Sequence, residues 1–252
     1  MRTRAGIIIV ATAVLVTACG GALEDPTDGV ADESPQTSST TGEQGVDTPR
    51  PASGAFPEGP SALDDVNDPS FPPPLVETSQ IISGGPPPDG IPPIDAPVFV
   101  DVADNLQLLP ATEPVVALEI DGDARAYPIR AMVWHEIVND TVGGVPVSVT
   151  YCPLCNSAAT YVREVDGAET TFGTSGRLFA SALVMYDRAT ESLWTHYNGQ
   201  AVAGVLTGTE LEEIASPLLA WDDFRRSYPT GKVLDWRDTG FSRDYGRNPY
   251  TG

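Results

Sequence analysis

The sequence predicts an α+β fold: a single domain with a mainly antiparallel β core and a few short helices, preceded by a disordered tether. Three observations carry this. Strand-like runs recur on either side of Asp-Gly turn pairs beyond residue 110. Apolar residues take helical spacing in only two short windows. Before residue 78 no period exists that could bury a face.

The first element, residues 1–18, reads as an export signal: Arg2 and Arg4, then an uncharged apolar run over 5–17, then small Ala18 before Cys19. At about 13 residues the run is too short for a bilayer core, which takes roughly 20. Leu15-Val16-Thr17-Ala18-Cys19 resembles the lipobox of bacterial lipoproteins. That resemblance implies a lipidated Cys19 as the new N-terminus and an address on the extracytoplasmic face of the cell membrane. Two acyl chains anchor stably where one does not. The simpler alternative is full secretion, with Cys19 a bystander at the cleavage point.

The second element, residues 19–77, is an acidic linker of Pro, Ser, Thr, Gly, Glu and Asp, expected to be a disordered tether. The net charge of −21 is concentrated here: residues 20–99 carry fourteen acidic residues against the single Arg50. So acidic a chain is a poor partner for nucleic acid or for anionic lipid surfaces, so its membrane contact is expected through the Cys19 anchor. No protein partner is indicated.

The third element, residues 78–252, is long enough for one domain with a substantial core. Its proline-rich start, 84–93, is extended and turn-rich. Runs at 115–120 and 125–129 flank Asp121-Gly122-Asp123, and runs at 161–165 and 169–172 flank Asp166-Gly167, as two hairpins. Residues 145–151 alternate toward a cysteine pair, and 178–186 form a further apolar run. Helices are expected over 130–139, from Val133 and Ile137, and over 220–228, from Trp221, Phe224 and Tyr228, with Gly231 as the stop.

Beyond Cys19 the chain holds two cysteines, in Cys152-Pro153-Leu154-Cys155, and two histidines, His135 and His196. A Cys-x-x-Cys turn brings two sulfurs close enough to chelate one metal or to form a disulfide. Thiolates with an imidazole suit copper or zinc, so Cys152, Cys155 and His135 form the leading candidate metal set, with an open fourth position for chemistry. The same pair could be a thiol-disulfide redox centre, or an inert disulfide in a binding module, since an oxidised pair is common outside the cytosol. His135 has a plainer reading as a hydrogen-bonded structural histidine. Glu136 is a candidate general base or supporting partner, against a helix-surface carboxylate. His196, between Thr195 and Tyr197, reads as packing or surface rather than ligand. The stretch 171–177 does not match Gly-x-Ser-x-Gly and reads as a Gly/Ser turn. Arg177, Arg243 and Arg247 could hold an anion, or serve internal salt bridges.

Several ordered motifs then carry a resemblance. Ser83-Gly84-Gly85-Pro86-Pro87, Asp89-Gly90-Ile91-Pro92, Arg125-Ala126-Tyr127-Pro128, Trp134-His135-Glu136-Ile137-Val138-Asn139-Asp140, Thr150-Tyr151-Cys152-Pro153-Leu154-Cys155, Ser192-Leu193-Trp194 and Ser242-Arg243-Asp244-Tyr245-Gly246-Arg247 together resemble a prokaryotic family, domain of unknown function thirty-one seventy-nine, over about residues 80–252. The resemblance implies that His135, Cys152 and Cys155 belong to a shared pattern. It implies no reaction. Where this chain has His196 that pattern commonly has Gln, which lowers the standing of His196 as a required ligand.

Overall fold

The computed structural model describes residues 56–250, so the signal, Cys19 and the linker to residue 55 lie outside the described residues. A 3-10 turn at Thr78–Gln80 leads into β1 (Ile82–Ser83), and β2 (Phe99–Asp101) follows the proline-rich stretch, whose missing N–H groups interrupt any longer ladder. β3 (Pro114–Ile120) and β4 (Asp123–Pro128) make the first expected hairpin, turning on Asp121 and Gly122 at positive φ. The helix expected over 130–139 is shorter, α1 (Ile129–His135). Glu136 at φ +59° breaks it, and the β-branched run beyond becomes β5 (Ile137–Val142).

A Gly143-Gly144 turn joins β5 to β6 (Val145–Cys152), which returns through residues 153–156 into β7 (Ser157–Val162). The hairpin at Asp166-Gly167 is smaller than its flanking runs suggest: β8 (Glu164–Val165) meets β9 (Ala168–Glu169) alone. The runs beside it are claimed by β7 and by β10 (Phe172–Phe179). The apolar run 178–186 folds over at Ala180 and Ser181, giving β11 (Ala182–Asp187). Residues 171–177 are not a turn. Most of that stretch is strand with a bulge between Thr174 and Arg177, where a Cβ on Gly176 would fall 1.9 Å from the Pro86 carbonyl. Then come β12 (Leu193–Thr195), β13 (Ala201–Ala203), β14 (Glu213–Ile214), β15 (Leu218–Ala220), the expected second helix α2 (Trp221–Ser227) and β16 (Lys232–Leu234).

Three main sheets result, ordered β1-β10-β11-β12-β13, β14-β7-β6-β5 and β15-β3-β4-β16-β2, and every ladder is antiparallel except β16 on β4. The second sheet lies between the other two. Strand period 2 sends Val147, Val149 and Tyr151 of β6 into one core with Val116, Leu118, Tyr127 and α1. The opposite face, Ser148, Thr150 and Cys152, turns toward Phe172, Leu183, Met185 and Trp194 of the first sheet. This buried face is polar, and Asn139 helps to satisfy it. Its amide bonds Asp95 and the Phe172 carbonyl, while its oxygen accepts from Ser148 and from the Phe172 N–H.

The acidic linker ends earlier than its composition suggests. Residues 56–77 run over the first sheet: Ala62 is fully buried, with Leu63, Val66, Phe71 and Val76 packed on Val184, Tyr186 and Val202. A backbone bond from Leu75 to Val202 fixes the path. A few scattered hydrophobes suffice here because the sheet already supplies a flat apolar face. Among the described residues no helix is long and apolar enough to cross a membrane.

Candidate functional site

The Cys-x-x-Cys segment is the tip of the β6–β7 hairpin. Pro153 fixes φ within it, and Asn156 closes it at φ +49°, held by a 2.8 Å hydrogen bond from the Tyr151 hydroxyl. Cys152 and Ser157 face each other across the ladder, so both point toward the first sheet. Cys152 is 1% exposed and Cys155 half-buried, and both are free thiols. Burial pushes the Cys152 thiol up to about 11, with its neighbour Cys155 adding to the rise and backbone N–H groups of Leu183 and Cys155 opposing it.

The histidine linked to the cysteine loop, through Ser157, is His196 and not His135. β12 ends at Thr195, and a tight turn through Asn198 and Gly199 folds His196 over β7, where a Cβ on Gly199 would sit 2.6 Å from the Tyr161 ring. The Tyr161 hydroxyl bonds the His196 carbonyl at 2.8 Å. His196 Nε2 lies 2.9 Å from Ser157 Oγ, which lies 3.1 Å from Cys155 Sγ. On the other side, His196 Nδ1 lies 3.1 Å from Thr150 Oγ1, and Thr150 gives its own proton to the Ala159 carbonyl at 2.8 Å.

That last bond sets every donor in the chain. Thr150 has one proton and has spent it, so Nδ1 of His196 carries a hydrogen and donates to Thr150. Nε2 is then bare and accepts from Ser157, whose oxygen is left to accept the Cys155 S–H, a thiol that also reaches the Cys152 carbonyl at 3.8 Å. Burial lowers the His196 imidazole to about 4, so it stands neutral, with Nε2 open as a hydrogen-bond acceptor.

His135 faces elsewhere. It is fully buried, with Nδ1 2.7 Å from the Pro92 carbonyl and Nε2 2.7 Å from the Tyr245 hydroxyl. A carbonyl only accepts, so Nδ1 donates, and the Nε2 lone pair takes the Tyr245 proton. Neither nitrogen is left for a metal shared with the thiols. Among the described residues no three His, Cys, Asp or Glu side chains gather as a metal site. The copper or zinc set of Cys152, Cys155 and His135 is therefore not brought together, because His135 is spent on the C-terminal segment.

Glu136 is likewise not on a helix surface. It is buried, and its carboxylate accepts from the Tyr250 hydroxyl at 2.5 Å. Burial pushes its carboxyl up to about 7, against the Tyr250 bond. Trp134, His135 and Glu136 thus grip the C-terminal segment with three consecutive side chains, since Trp134 also bonds the Arg247 carbonyl at 3.1 Å. Glu136 and Tyr250 line a cavity of about 100 Å3 together with Leu154, Leu183 and Arg177. Burial, the Glu136 charge and Cys152 together push the Tyr250 hydroxyl up, and Leu154, between the two cysteines, brings their loop to this cavity.

Sequence reasoning missed Ser157, Thr150 and His196 as a unit. One signal was present: Ser157 follows Cys155 by only two residues, so a hydroxyl stands at the start of the strand that leaves the cysteine loop.

A family model described as "Protein of unknown function (DUF3179)" matches residues 88–252. No curated protein and no solved structure matches the chain.

Proposed function

The chain belongs to that family of unknown function, and from this premise we propose that it is a thiol-disulfide exchange protein, held by a lipid on Cys19 at the extracytoplasmic face of the membrane. The half-buried Cys155 attacks, the buried Cys152 resolves, and Ser157 with His196 takes the proton. The observation that carries this reading is the directed hydrogen-bond chain from Cys155 through Ser157 to the bare Nε2 of His196.

The steps balance. Cys155 passes its proton to Ser157 Oγ as Ser157 passes its own to His196 Nε2. The thiolate attacks one sulfur of a substrate disulfide; a Cys155–substrate S–S bond forms, the substrate S–S bond breaks, and the departing thiolate takes a proton. Cys152 then attacks Cys155 Sγ, forming the Cys152–Cys155 bond and releasing the second substrate thiol. Two electrons move from the protein pair to the substrate, and the reverse sequence oxidises a dithiol. With its thiol pushed up to about 11, Cys152 needs a proton acceptor to resolve at useful speed.

The alternative of a copper or zinc centre finds less support, because His135 would have to abandon both of its hydrogen bonds to reach the thiols.

The test is the reduction potential of the Cys152/Cys155 pair, with trapping of a mixed disulfide. The expected potential lies within the range of exchange proteins, roughly −120 to −270 mV. A Cys152→Ser variant should accumulate the mixed disulfide on Cys155. A pair poised below about −300 mV with no trappable adduct is a structural staple, and the reading fails.

A further inference from the structure

Ten arginines fall among the described residues, and seven of them stand within 4 Å of a carboxylate. The three that do not are Arg177, Arg243 and Arg247. In a chain with a net charge of −21, unneutralised guanidiniums are the exception.

They also share a location. Arg177 lines the cavity that holds Leu154, Glu136 and Tyr250. Arg243 lines the next cleft, about 320 Å3, which shares Pro86, Ile91 and Tyr250 with the first. Arg247 lines a third, joined to the second through Val133. One continuous recess therefore runs from the cysteine loop along the C-terminal segment.

The two nearer guanidiniums keep donors in hand. Arg177 gives one side-chain bond, to the Leu63 carbonyl, and Arg243 gives one, to the Ser242 carbonyl at 3.3 Å, while its face lies 5.9 Å from the Phe241 ring centre. A guanidinium has five N–H donors and matches a carboxylate two at a time. Much of the rest of the recess is apolar, with Pro86, Ile91, Leu154 and Leu183, while its Glu136 carboxyl is bound to the Tyr250 hydroxyl.

We propose that this recess selects small disulfides bearing carboxylates, with Arg177 and Arg243 receiving the carboxylates while the sulfurs lie at Cys155. The proposal rests on the exchange reading above. Its substrate class follows from a small, mainly apolar slot that Leu154 of the cysteine loop borders and that cations without a carboxylate partner flank. Arg177 and Arg243 are specificity residues in this scheme and take no part in the bond changes.

The experiment compares two probes with the same aliphatic disulfide and opposite charge, 3,3′-dithiodipropionate and cystamine, on the full-length Cys152→Ser protein. Mixed-disulfide formation on Cys155 is followed by mass spectrometry. Arg177→Gln and Arg243→Gln should each slow the dianion about tenfold, and added salt should shrink the difference. Cystamine should react at the parent rate or faster, which also shows that the variants are folded. Equal slowing of both probes, or of neither, overturns the proposal.

A second readout does not depend on exchange. Suberate replaces the two sulfurs of the dianion by methylenes and cannot react. Calorimetry should show millimolar or tighter binding by the parent and about tenfold weaker binding by Arg177→Gln. If neither disulfide reacts but suberate binds in this way, the exchange reading fails while the anion site stands. No suberate binding by the parent sinks the anion site whatever the thiols do.

Discussion

Ser157 Oγ lies 2.9 Å from Nε2 of His196, and this contact decides what the neighbouring thiol can lose. With the Nδ1 hydrogen committed to Thr150, Nε2 accepts, and the proton path from Cys155 runs one way.

Removing the middle of that path should slow attack without disturbing the fold. Ser157→Ala is expected to lower the rate of mixed-disulfide formation at pH 7 by about ten- to a hundredfold. His196→Gln keeps an acceptor for Ser157 but cannot take up a proton. It should match Ser157→Ala in rate while retaining parent-like stability. Stopped-flow kinetics beside thermal unfolding separates the two effects; a parent-like rate in both variants removes the relay from the mechanism.

The two thiols should differ sharply toward a small alkylating agent. Cys155 is half-buried at the hairpin tip, while Cys152 is 1% exposed and its thiol is pushed up to about 11. Brief iodoacetamide treatment at pH 8, followed by peptide mapping, should label Cys155 at least about tenfold faster than Cys152. Equal labelling would mean that the hairpin tip opens freely.

Glu136 and His196 should pull stability in opposite directions with pH. The Glu136 carboxyl, raised from 4.5 to about 7, holds its proton in the folded chain after the unfolded chain has lost it, so its contribution falls as pH rises through that window. The His196 imidazole, lowered from 6.5 to about 4, stays neutral while the unfolded chain charges, so its contribution falls as pH drops through that window. Glu136→Gln should therefore gain about 2 kcal/mol over the parent above pH 7 and nothing below pH 4.5. His196→Gln should flatten the loss between pH 6.5 and pH 4. Denaturant titrations at four pH values check both signs.

Asn139 makes four hydrogen bonds, two of which, to the Phe172 carbonyl and N–H, tie the second sheet to the first. Asn139→Ala leaves the Phe172 N–H and carbonyl without partners in a buried position. The expected loss is about 2–4 kcal/mol of unfolding free energy, read from denaturant midpoints. A loss below about 1 kcal/mol would show that other groups take over these bonds.

Local patterns made the fold class, the second helix and the Asp121-Gly122 hairpin legible, because turn chemistry and apolar period act within a few residues. The first helix was overrun at its end, since nothing in Trp134-His135-Glu136-Ile137 announces that Glu136 adopts positive φ. The cysteine pair was legible as a centre, but its histidine was not. His135 sits in the stronger motif, yet its partners Pro92 and Tyr245 are 43 and 110 residues away. His196 lies 39 residues from Ser157 and reaches it where the first sheet packs on the second, which no spacing rule encodes. The packed stretch 56–77 was hidden by its acidic composition, because its few apolar side chains lean on a sheet formed more than a hundred residues later.

The grip of Trp134, His135 and Glu136 on partners 110 to 114 residues onward has a consequence for how solvent and reactants enter. Residues 236–250 belong to no strand or helix, so their release breaks no ladder. Local release of this segment would therefore cost less than global unfolding and would uncover the recess that Tyr250 lines. Weakening a single latch such as Tyr250 would leave the melting temperature almost unchanged while quickening every reaction that must happen behind it.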